Sequence, residues 1–283
     1  MRLTVGLNRS DERKMQQKRG SDRLVPKPPT VRDGALEQAL VDDMIQLAFQ
    51  PQIDPRSGRV RGAEALARWN GADSPEQLFA RAAAVGLTER VSRHVQRKAL
   101  QAAGRWRGPL NGLRLSLNLV PEDLARKGYD DWLLQELSDA KVDPKRLTLE
   151  ITESSLVIDR AIVSTRLSRL RELGIEIAVD DFGTGYANLA YLTSLPLDTL
   201  KIDRGLIAEI VGGSRDRIVV KAMIGMAREL GLKVVVEGVE TAAQLALVAN
   251  WGCDLYQGFL VAGALDEVEL GRFVAASHAA AAA

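Results

Sequence analysis

The sequence predicts a single-domain α/β fold, a TIM-type (β/α)8 barrel, from two observations. Eight short runs rich in β-branched and other apolar residues alternate with longer segments whose apolar residues recur at helical spacing. This alternation continues over about 225 residues, a length that suits eight strand–helix units closed into a barrel. A doubly wound open sheet is the alternative, but the chain lacks a glycine-rich phosphate turn after its first predicted strand.

The predicted elements follow one another as strand and helix along the chain. The eight predicted strands are residues 48–54, 59–68, 113–120, 146–153, 176–181, 199–204, 233–240 and 255–260. Predicted helices between them include residues 75–85, 88–103, 159–173, 214–230 and 241–251. A helix is therefore expected after each strand around the barrel.

The two ends of the chain differ in composition from the predicted barrel of residues 34–274. Residues 1–33 hold nine basic and four acidic side chains, whereas the whole chain has a net charge of +1. A polar stretch of this kind is typical of a flexible, solvated arm, an interpretation we favour over a segment that binds nucleic acid or a membrane surface. Residues 275–283 are rich in alanine and are predicted to form a tail or the fraying end of a helix.

Histidine and cysteine are scarce in this chain. It has two histidines and one cysteine among 283 residues, too few for an imidazole metal cluster with a Cys/His nucleophile pair beside it. Metal chemistry would therefore depend on carboxylates. Cys253 has no partner for an intrachain disulfide, the first ten residues do not resemble a secretory leader, and no segment has the apolar length of a membrane span, which together predict a cytoplasmic location.

Polar side chains stand at or near the C-terminal ends of seven consecutive predicted strands. In a barrel these strand ends surround one mouth, where active sites of this fold are built. Carboxylates crowded there would repel one another unless cations neutralise them. The pattern therefore predicts a carboxylate metal site at the mouth, drawn from Glu64, Asn118, Glu150 with Glu153, Asp180 with Asp181, Lys201 with Asp203, Glu237 with Glu240, and Gln257.

Two short motifs match other families but lack the context that those families require. Asp181-Phe182-Gly183 is the magnesium-binding triplet of protein kinases, yet neither a His-Arg-Asp loop nor a glycine-rich phosphate loop accompanies it. Gly183-Thr184-Gly185 is not a dinucleotide fingerprint, because Asn188 occupies the position of the third glycine. These glycines instead predict a tight, mobile loop after the fifth strand.

A series of distinctive motifs runs from about residue 50 to residue 260. They are Phe49-Gln50-Pro51, Glu64-Ala65-Leu66 with Arg68-Trp69, Leu117-Asn118-Leu119, Glu150-Ile151-Thr152-Glu153, Asp180-Asp181-Phe182-Gly183-Thr184-Gly185-Tyr186, Lys201-Ile202-Asp203, Glu237-Gly238-Val239-Glu240-Thr241 and Gln257-Gly258-Phe259. By these motifs the chain resembles the EAL-domain family of cyclic di-GMP phosphodiesterases. The order and spacing of these motifs along the chain add to the resemblance.

The resemblance implies a two-metal hydrolysis. One Mg²⁺ or Mn²⁺ ion is expected to bind Glu64, Asn118, Glu150 and Asp180, and a second to bind Asp180, Asp181 and Glu237, through the hard oxygen ligands that these ions prefer. The ions would activate a water molecule for in-line attack on cyclic di-GMP, which yields linear 5′-pGpG. The expected catalytic group is Lys201, which orients the water or stabilises the developing charge, with Glu237, Asp181 and Glu240.

Further matched residues are expected to surround this centre. Gln50, Arg68 and Gln257 would bind substrate, since a guanidinium fork suits phosphate and guanine acceptors. Glu153 and Asp203 are expected to anchor the loop at 182–188, while Glu240 would help to hold Lys201. For Glu240 and Asp203, a salt bridge with no direct chemical role is an equally open interpretation.

The chain departs from the family pattern at the rim of the mouth. The turn after Arg68-Trp69 is shorter than usual, and Ala187-Asn188 replaces the usual pair of serines. These changes leave a second interpretation open, a receptor or interaction scaffold that binds cyclic di-GMP with little or no turnover. By resemblance a homodimer is expected, and since no cyclase domain precedes the barrel in this sequence, regulation is expected from a separate sensory partner.

Overall fold

The structure is a computed structural model that describes residues 32–152, 160–183, 189–213 and 215–281. The strands in these ranges are β1 (Gln46–Ile53), β2 (Val60–Arg68), β3 (Arg114–Leu119), β4 (Leu147–Thr152), β5 (Glu176–Phe182), β6 (Thr199–Ile202), β7 (Lys233–Val236) and β8 (Leu255–Tyr256). The helices are α1 (Gly34–Val41), α2 (Pro75–Ala84), α3 (Thr88–Arg105), α4 (Pro121–Ala125), α5 (Tyr129–Ala140), α6 (Arg160–Glu172), α7 (Leu189–Ser194), α8 (Arg204–Ile207), α9 (Arg215–Glu229), α10 (Ala242–Trp251) and α11 (Glu267–Ala280). None of these described helices has the length and apolar character needed to cross a bilayer. Except for residues 32 and 33, the predicted basic arm lies outside the described residues.

The strands close into a barrel in chain order, which confirms the predicted fold class. Strands β2 to β8 run parallel, whereas β1 is antiparallel to both of its neighbours, β2 and β8. The prediction of a helix after every strand is therefore wrong at the first step, where residues 54–59 join β1 directly to β2. Asp54 Oδ1 accepts hydrogen bonds from the N–H groups of Arg56 and Ser57, and Gly58 has a φ of +67°. The chain consequently reverses in a short turn, which permits only antiparallel pairing.

Strands β7 and β8 are shorter than predicted at the ends that face the mouth. They stop at Val236 and Tyr256, so Glu237 and Gln257 are the first residues after their strands. The backbone is still held there, because Glu237 N–H donates to Ile202 O at 3.0 Å and Gln257 N–H donates to Val236 O at 2.9 Å. Both side chains are therefore positioned by ordered backbone, although neither lies within a strand.

Helix α11 continues past residue 274, where the predicted barrel ends. It begins with a capping box, in which the Asp266 side chain accepts a hydrogen bond from Glu269 N–H, and it runs to Ala280. Ser277 Oγ donates to Gly58 O at 2.7 Å, which attaches this helix to the turn between β1 and β2. Residues 275–280 therefore belong to the helix and do not form a separate tail.

Apolar side chains fill the space between the strands and the surrounding helices. Leu115, Leu147 and Leu149 on β3 and β4 are fully buried, and the rings of Phe49 and Trp106 meet edge to face with their centroids 5.6 Å apart. A second apolar cluster packs the end of β2 against the first three helices. This β2 cluster consists of Leu36, Ala39, Ile45, Ala67, Trp69, Leu78, Ala82, Leu87, Val91 and Val95.

Charged residues occupy the end of the barrel opposite the mouth. Arg114, Glu176 and Lys233 are the first residues of β3, β5 and β7. The Glu176 carboxylate lies 3.2 Å from Arg114 and 2.8 Å from Lys233. Glu176 is paired with both cations, so this end of the barrel has a paired acid where the mouth has a cluster of acids.

Candidate metal and active site

Lys201, near the C-terminal end of β6, lies at the centre of the barrel mouth. Its ammonium nitrogen lies 2.7 Å from a carboxylate oxygen of Glu150, 2.8 Å from Glu237, 3.0 Å from Asp180 and 3.4 Å from Glu64. The Lys201 side chain is only 1% exposed, so carboxylates have replaced water around the ammonium group. The structure thus brings together five side chains that the sequence placed at the ends of separate strands.

Two amide side chains fix the orientation of Glu64. Asn118 Nδ2 donates to Glu64 Oε1 at 2.8 Å, while Gln257 Nε2 donates to Glu64 Oε2 at 2.8 Å and to Glu237 Oε1 at 3.1 Å. The remaining amide oxygen of Gln257 is buried and has no hydrogen-bond partner among the described residues. Since a buried acceptor without a partner is costly, this oxygen is suited to contact a ligand at the mouth.

Asp180 and Asp181 are consecutive, yet both carboxylates reach the mouth. In a regular strand their side chains would point to opposite faces. Asp181 has a φ of +55°, and the pairing of β5 with β6 shifts register between Val179 and Phe182, so the second carboxylate stays near the first. Asp181 N–H also donates to Asp180 Oδ1 at 2.9 Å. A positive φ at a non-glycine residue costs roughly 1–3 kcal/mol, and such strain clusters at functional sites.

The cluster holds more negative charge than Lys201 can neutralise. Burial, reinforced by the Asp180 and Glu64 carboxylates, raises the pKa of Glu237 from 4.5 to about 8, although the Lys201 ammonium opposes this rise. Burial and the charge of Asp180 likewise raise the pKa of Asp181 from 3.8 to about 6. Both acids therefore hold a proton at a higher pH than an exposed carboxyl would.

The pKa values of the innermost groups shift in different directions. Burial raises the pKa of Glu150 and of Asp180. Burial would also raise the pKa of Glu64, but the Lys201 ammonium and the hydrogen bonds from Gln257 and Asn118 outweigh it, so this pKa is lowered. Burial opposes the charged form of Lys201, and the surrounding carboxylates overcome this effect and raise its pKa. The lysine is thus a fixed positive charge in an excess of acids.

Two groups of acids in the described part of the chain have the geometry to hold cations. Carboxylate oxygens of Glu64, Glu150 and Asp180 lie within 4.8 Å of one another, and so do those of Asp180, Asp181 and Glu237. Asp180 is common to both groups. Carboxylate oxygens are the ligands that Mg²⁺ and Mn²⁺ prefer. The donor set and the uncompensated buried charge therefore fit divalent cations.

Gln50 and Arg68 lie along the same side of the mouth as Glu64. Gln50 on β1 is the register partner of Glu64 on β2 and is half-buried. Arg68 is four residues after Glu64 on the same strand, so it faces the same side, roughly 13 Å further toward the rim. Its Nη1 donates to Ala67 O at 2.9 Å. Both residues therefore lie on the Glu64 side of the mouth, and neither is among the residues that contact Lys201; substrate binding by them stays a prediction.

Of the remaining predicted residues, Asp203 and Glu240 are described, and neither contacts Lys201. Asp203 accepts a hydrogen bond from Gly205 N–H at the start of α8, and its charge contributes to the raised pKa of Asp181. Glu240 is exposed, and it is not among the four carboxylates that contact Lys201 within the described residues. Glu153 lies outside the described residues.

Sequence reasoning missed polar residues that lie beneath and behind this site. Gln52 Nε2 donates to Ser116 Oγ at 3.4 Å, and both side chains are buried. Ser116 is the register partner of Glu64, and Gln52 pairs with Gly62, two residues before it. Behind β3, Gln96 Nε2 reaches Asn118 O at 3.4 Å. A signal did exist for the first pair, because Gln52 and Ser116 are each two residues from a predicted site residue and so share its strand face.

Comparison with known proteins agrees with this geometry. The family model described as the EAL domain matches residues 33–264. The chain is 39% identical over 251 residues to the cyclic di-GMP phosphodiesterase NbdA of Pseudomonas aeruginosa, an alignment that covers 85% of this chain and 31% of NbdA. It is 36% identical over 231 residues to the bifunctional diguanylate cyclase/cyclic di-GMP phosphodiesterase MucR of the same species, covering 80% and 34%. The chain thus spans about a third of the length of these curated relatives.

Solved structures show the same fold. The c-di-GMP complex of the PaMucR phosphodiesterase superposes with a TM-score of 0.77 at 35% identity, covering 83% of this chain and 97% of that chain. The manganese/cy-diGMP complex of Klebsiella pneumoniae BlrP1 at pH 6 superposes with a TM-score of 0.71 at 30% identity, covering 78% and 56%. With a family match over most of its length and a barrel that shares this architecture, the chain belongs to the EAL domain family.

Proposed function

We propose that this chain hydrolyses cyclic di-GMP to linear 5′-pGpG with divalent metal ions. The observation that carries the proposal is the Lys201 ammonium held among two groups of acids that share Asp180. Relatives named as cyclic di-GMP phosphodiesterases support the substrate, as do the solved complexes with c-di-GMP. This is a phosphoric diester hydrolysis, in which positive charge has to meet the negative charge that develops on the phosphate, and Lys201 together with bound cations would supply it.

We propose two ions, Mg²⁺ or Mn²⁺, in this site. One would be held by Glu64, Asn118, Glu150 and Asp180, and the other by Asp180, Asp181 and Glu237. The ions would supply an activated water molecule and neutralise negative charge at the phosphate. The manganese in the BlrP1 complex supports this choice of ion. Because Glu237 has a pKa of about 8, metal binding at neutral pH is expected to release a proton from it.

Lys201 supplies a fixed positive charge for the reaction. Glu150 and Glu237 hold its ammonium group at 2.7 and 2.8 Å, and the carboxylates keep its pKa above the usual range. Such a group stabilises negative charge that develops on the phosphodiester without having to reorganise. The catalytic group would be Lys201, Glu237 and Asp181, with Glu240, whose side chain is exposed in this structure, as an outer member.

Arg68, Gln50 and Gln257 would bind the substrate. The guanidinium of Arg68 presents a planar fork that suits a phosphate or a guanine edge. The unpaired Gln257 oxygen and the half-buried Gln50 side chain add polar contacts beside Glu64. Asp203 and Glu153 would anchor the loop at 182–188; Asp203 lies close enough to Asp181, just before that loop, for its charge to raise the pKa of Asp181.

A turnover assay tests the proposal. Purified protein is incubated with cyclic di-GMP and either Mg²⁺ or Mn²⁺, and the products are separated by chromatography. We expect linear pGpG in the presence of metal and none after addition of EDTA. If neither ion supports turnover, the proposed activity is wrong.

Lysine variants test the role of Lys201. Lys201→Ala should reduce kcat by about 10²–10³, because a preorganised charge at the reacting phosphate is lost. The control is Lys233→Ala, since Lys233 is an ion-paired lysine at the opposite end of the barrel. An unchanged kcat in Lys201→Ala, with Lys233→Ala also unchanged, would show that Lys201 has no such role.

A cyclic di-GMP receptor or interaction scaffold is the second candidate. The observation that favours it is the short turn after Arg68, where Trp69 and Ala72 form an isolated β-bridge that closes the chain tightly. Calorimetry in the presence of metal distinguishes the two functions. Tight binding of cyclic di-GMP without formation of pGpG favours the receptor.

Homodimerisation and regulation by a separate partner remain proposals. Val211, Ile218 and Val219 are 48%, 71% and 43% exposed in and just before α9, and this apolar surface supports a contact with a second copy. Light scattering should detect a dimer that Ile218→Glu converts to a monomer. This chain covers only 31% of NbdA and 34% of MucR, so those relatives contain further segments, which supports regulation by a separate sensory partner. A cytoplasmic location stays a prediction.

A further inference from the structure

Arg81 on α2 joins three separate parts of the structure beside the barrel mouth. Its Nη1 donates to Gly71 O at 2.8 Å, in the turn that follows β2. Its Nε and Nη2 contact the Asp33 carboxylate that caps α1, with Nη2 2.9 Å from Oδ1. Its guanidinium carbon lies 4.8 Å from the centroid of the Trp69 ring. A single side chain thus connects the turn, the first helix and an aromatic ring.

The turn at residues 70–73 is packed closely against Trp69. Ala72 N–H donates to Trp69 O at 3.0 Å, and the two residues form a β-bridge. A Cβ atom at Gly71 would lie 2.4 Å from the Trp69 ring, a distance that no side chain tolerates. Glycine is therefore required at this position, and its carbonyl faces Arg81. The short turn has one compact arrangement, which Arg81 holds from outside.

The position of Trp69 affects the direction of Arg68. Side chains alternate along a strand, so Trp69 faces the β2 cluster outside the barrel while Arg68 faces the same side as Glu64. Trp69 is 9% exposed and packs within that cluster. A rigid Trp69 therefore fixes the backbone from which the Arg68 side chain leaves, at the last residue of β2.

We infer that Arg81 is a positioning residue for Arg68. By holding Gly71 and Trp69 in place, it orients the end of β2 so that the Arg68 guanidinium meets the phosphate or guanine of the substrate. Arg81 touches neither the metal cluster nor Lys201. The inference rests on the proposed function, because it assumes that Arg68 binds cyclic di-GMP.

Steady-state kinetics with two Arg81 variants test this inference. Arg81→Ala should raise KM for cyclic di-GMP by about five- to tenfold and leave kcat within about twofold, because a misplaced binding group weakens capture of the substrate. Arg81→Lys keeps a cation near Trp69 but loses the planar guanidinium fork. Its KM should therefore lie between the values of Arg81→Ala and the wild-type protein. A variant that only destabilised the protein would reduce the active fraction and lower kcat instead.

Arg171→Ala is the matched control. Arg171 forms a two-pronged salt bridge with Asp198 and has a similar side-chain exposure, 40% against 38% for Arg81. Arg171 lies in the last turn of α6, and its partner Asp198 immediately precedes β6, at the end of the barrel away from the mouth. Its KM and kcat should match those of the wild-type protein. A KM change in both variants would overturn the specific role of Arg81.

A double variant and a measurement without substrate complete the test. If Arg81 acts through Arg68, Arg81→Ala should add no more than about twofold to the KM of Arg68→Ala. Hydrogen exchange at the Ala72 amide should be faster in Arg81→Ala, because this amide bonds to Trp69 O in the turn. An unchanged KM in Arg81→Ala, or fully multiplicative KM effects, overturns the inference. An inactive wild-type protein would instead refute the proposed function, while the exchange result would still report on the turn.

Discussion

Replacing Glu237 with glutamine should stabilise the metal-free protein at neutral pH. The Glu237 carboxylate is 17% exposed and lies 2.8 Å from Lys201, which already contacts three other acids. Burial and the charges of Asp180 and Glu64 raise its pKa from 4.5 to about 8. Glutamine has the same shape and no charge to bury, so it removes this penalty and keeps a carbonyl oxygen toward Lys201.

The size of the effect follows from the proton balance. Between pH 4.5 and about pH 8, Glu237 holds a proton in the folded protein and releases it on unfolding. The free energy of unfolding therefore falls as pH rises, by about 1.4 kcal/mol per pH unit for this group. Glu237→Gln lacks this dependence. The variant should match the wild-type protein near pH 4.5 and be more stable by about 3 kcal/mol at pH 7.

Urea unfolding in EDTA at pH 5, 6, 7 and 8 measures this difference, since linear extrapolation gives the free energy of unfolding at each pH. Titrating groups away from the mouth are the same in both proteins and cancel, so the change in the difference with pH reports on Glu237 and the charges that it faces. Glu176→Gln is the control and should lose stability, because Glu176 is paired with Arg114 and Lys233. A difference that does not grow with pH, or a variant less stable at pH 8, refutes the reasoning.

Adding Mn²⁺ should reduce or reverse the difference in the free energy of unfolding between Glu237→Gln and the wild-type protein. A ligand that binds only the folded state adds about 2.7 kcal/mol of stability at a hundred times its Kd. The wild-type protein should gain this stabilisation, whereas Glu237→Gln, which lacks one proposed carboxylate ligand, should gain less. Equal stabilisation of both proteins by Mn²⁺ would remove Glu237 from the metal site.

Three further substitutions should reduce stability through separate contacts. Asp123→Ala removes a fully buried carboxylate 2.8 Å from Arg126 and should lower the free energy of unfolding, measured in urea, by about 3–5 kcal/mol. The control is Asp131→Ala, which removes an exposed carboxylate and should lower it by less than about 1 kcal/mol. Trp106→Ala should cost about 3–5 kcal/mol by the same assay because its ring is fully buried, and a loss below about 1 kcal/mol would contradict this packing. Gly258→Ala should lower both Tm and kcat/KM, because a Cβ there would lie 2.3 Å from Val239 O beside the site. Wild-type values of both quantities would contradict the close packing of Gly258 against the Val239 backbone.

The strand order and most of the mouth could be predicted from the sequence. Each of β2 to β8 carries polar residues at or near its C-terminal end, and parallel strands in a barrel bring those ends together. The antiparallel β1 could not be derived from periodicity, because an apolar run has the same pattern in either direction. The six-residue turn from Asp54 to Arg59 decides that direction through its length and hydrogen bonds.

The sequence by itself determined the chemistry of this protein: many acids, two histidines, one cysteine and the residue types that surround the mouth. Tertiary structure decided which of them meet. Lys201 is 137 residues from Glu64 in the sequence and Gln257 is 193 residues from Glu64, yet both contact it, because closure of the barrel brings the strand ends together. The positive φ of Asp181, the exposure of Glu240 and the contact of Arg81 with Gly71 likewise depend on local backbone geometry and on neighbours that residue order does not specify.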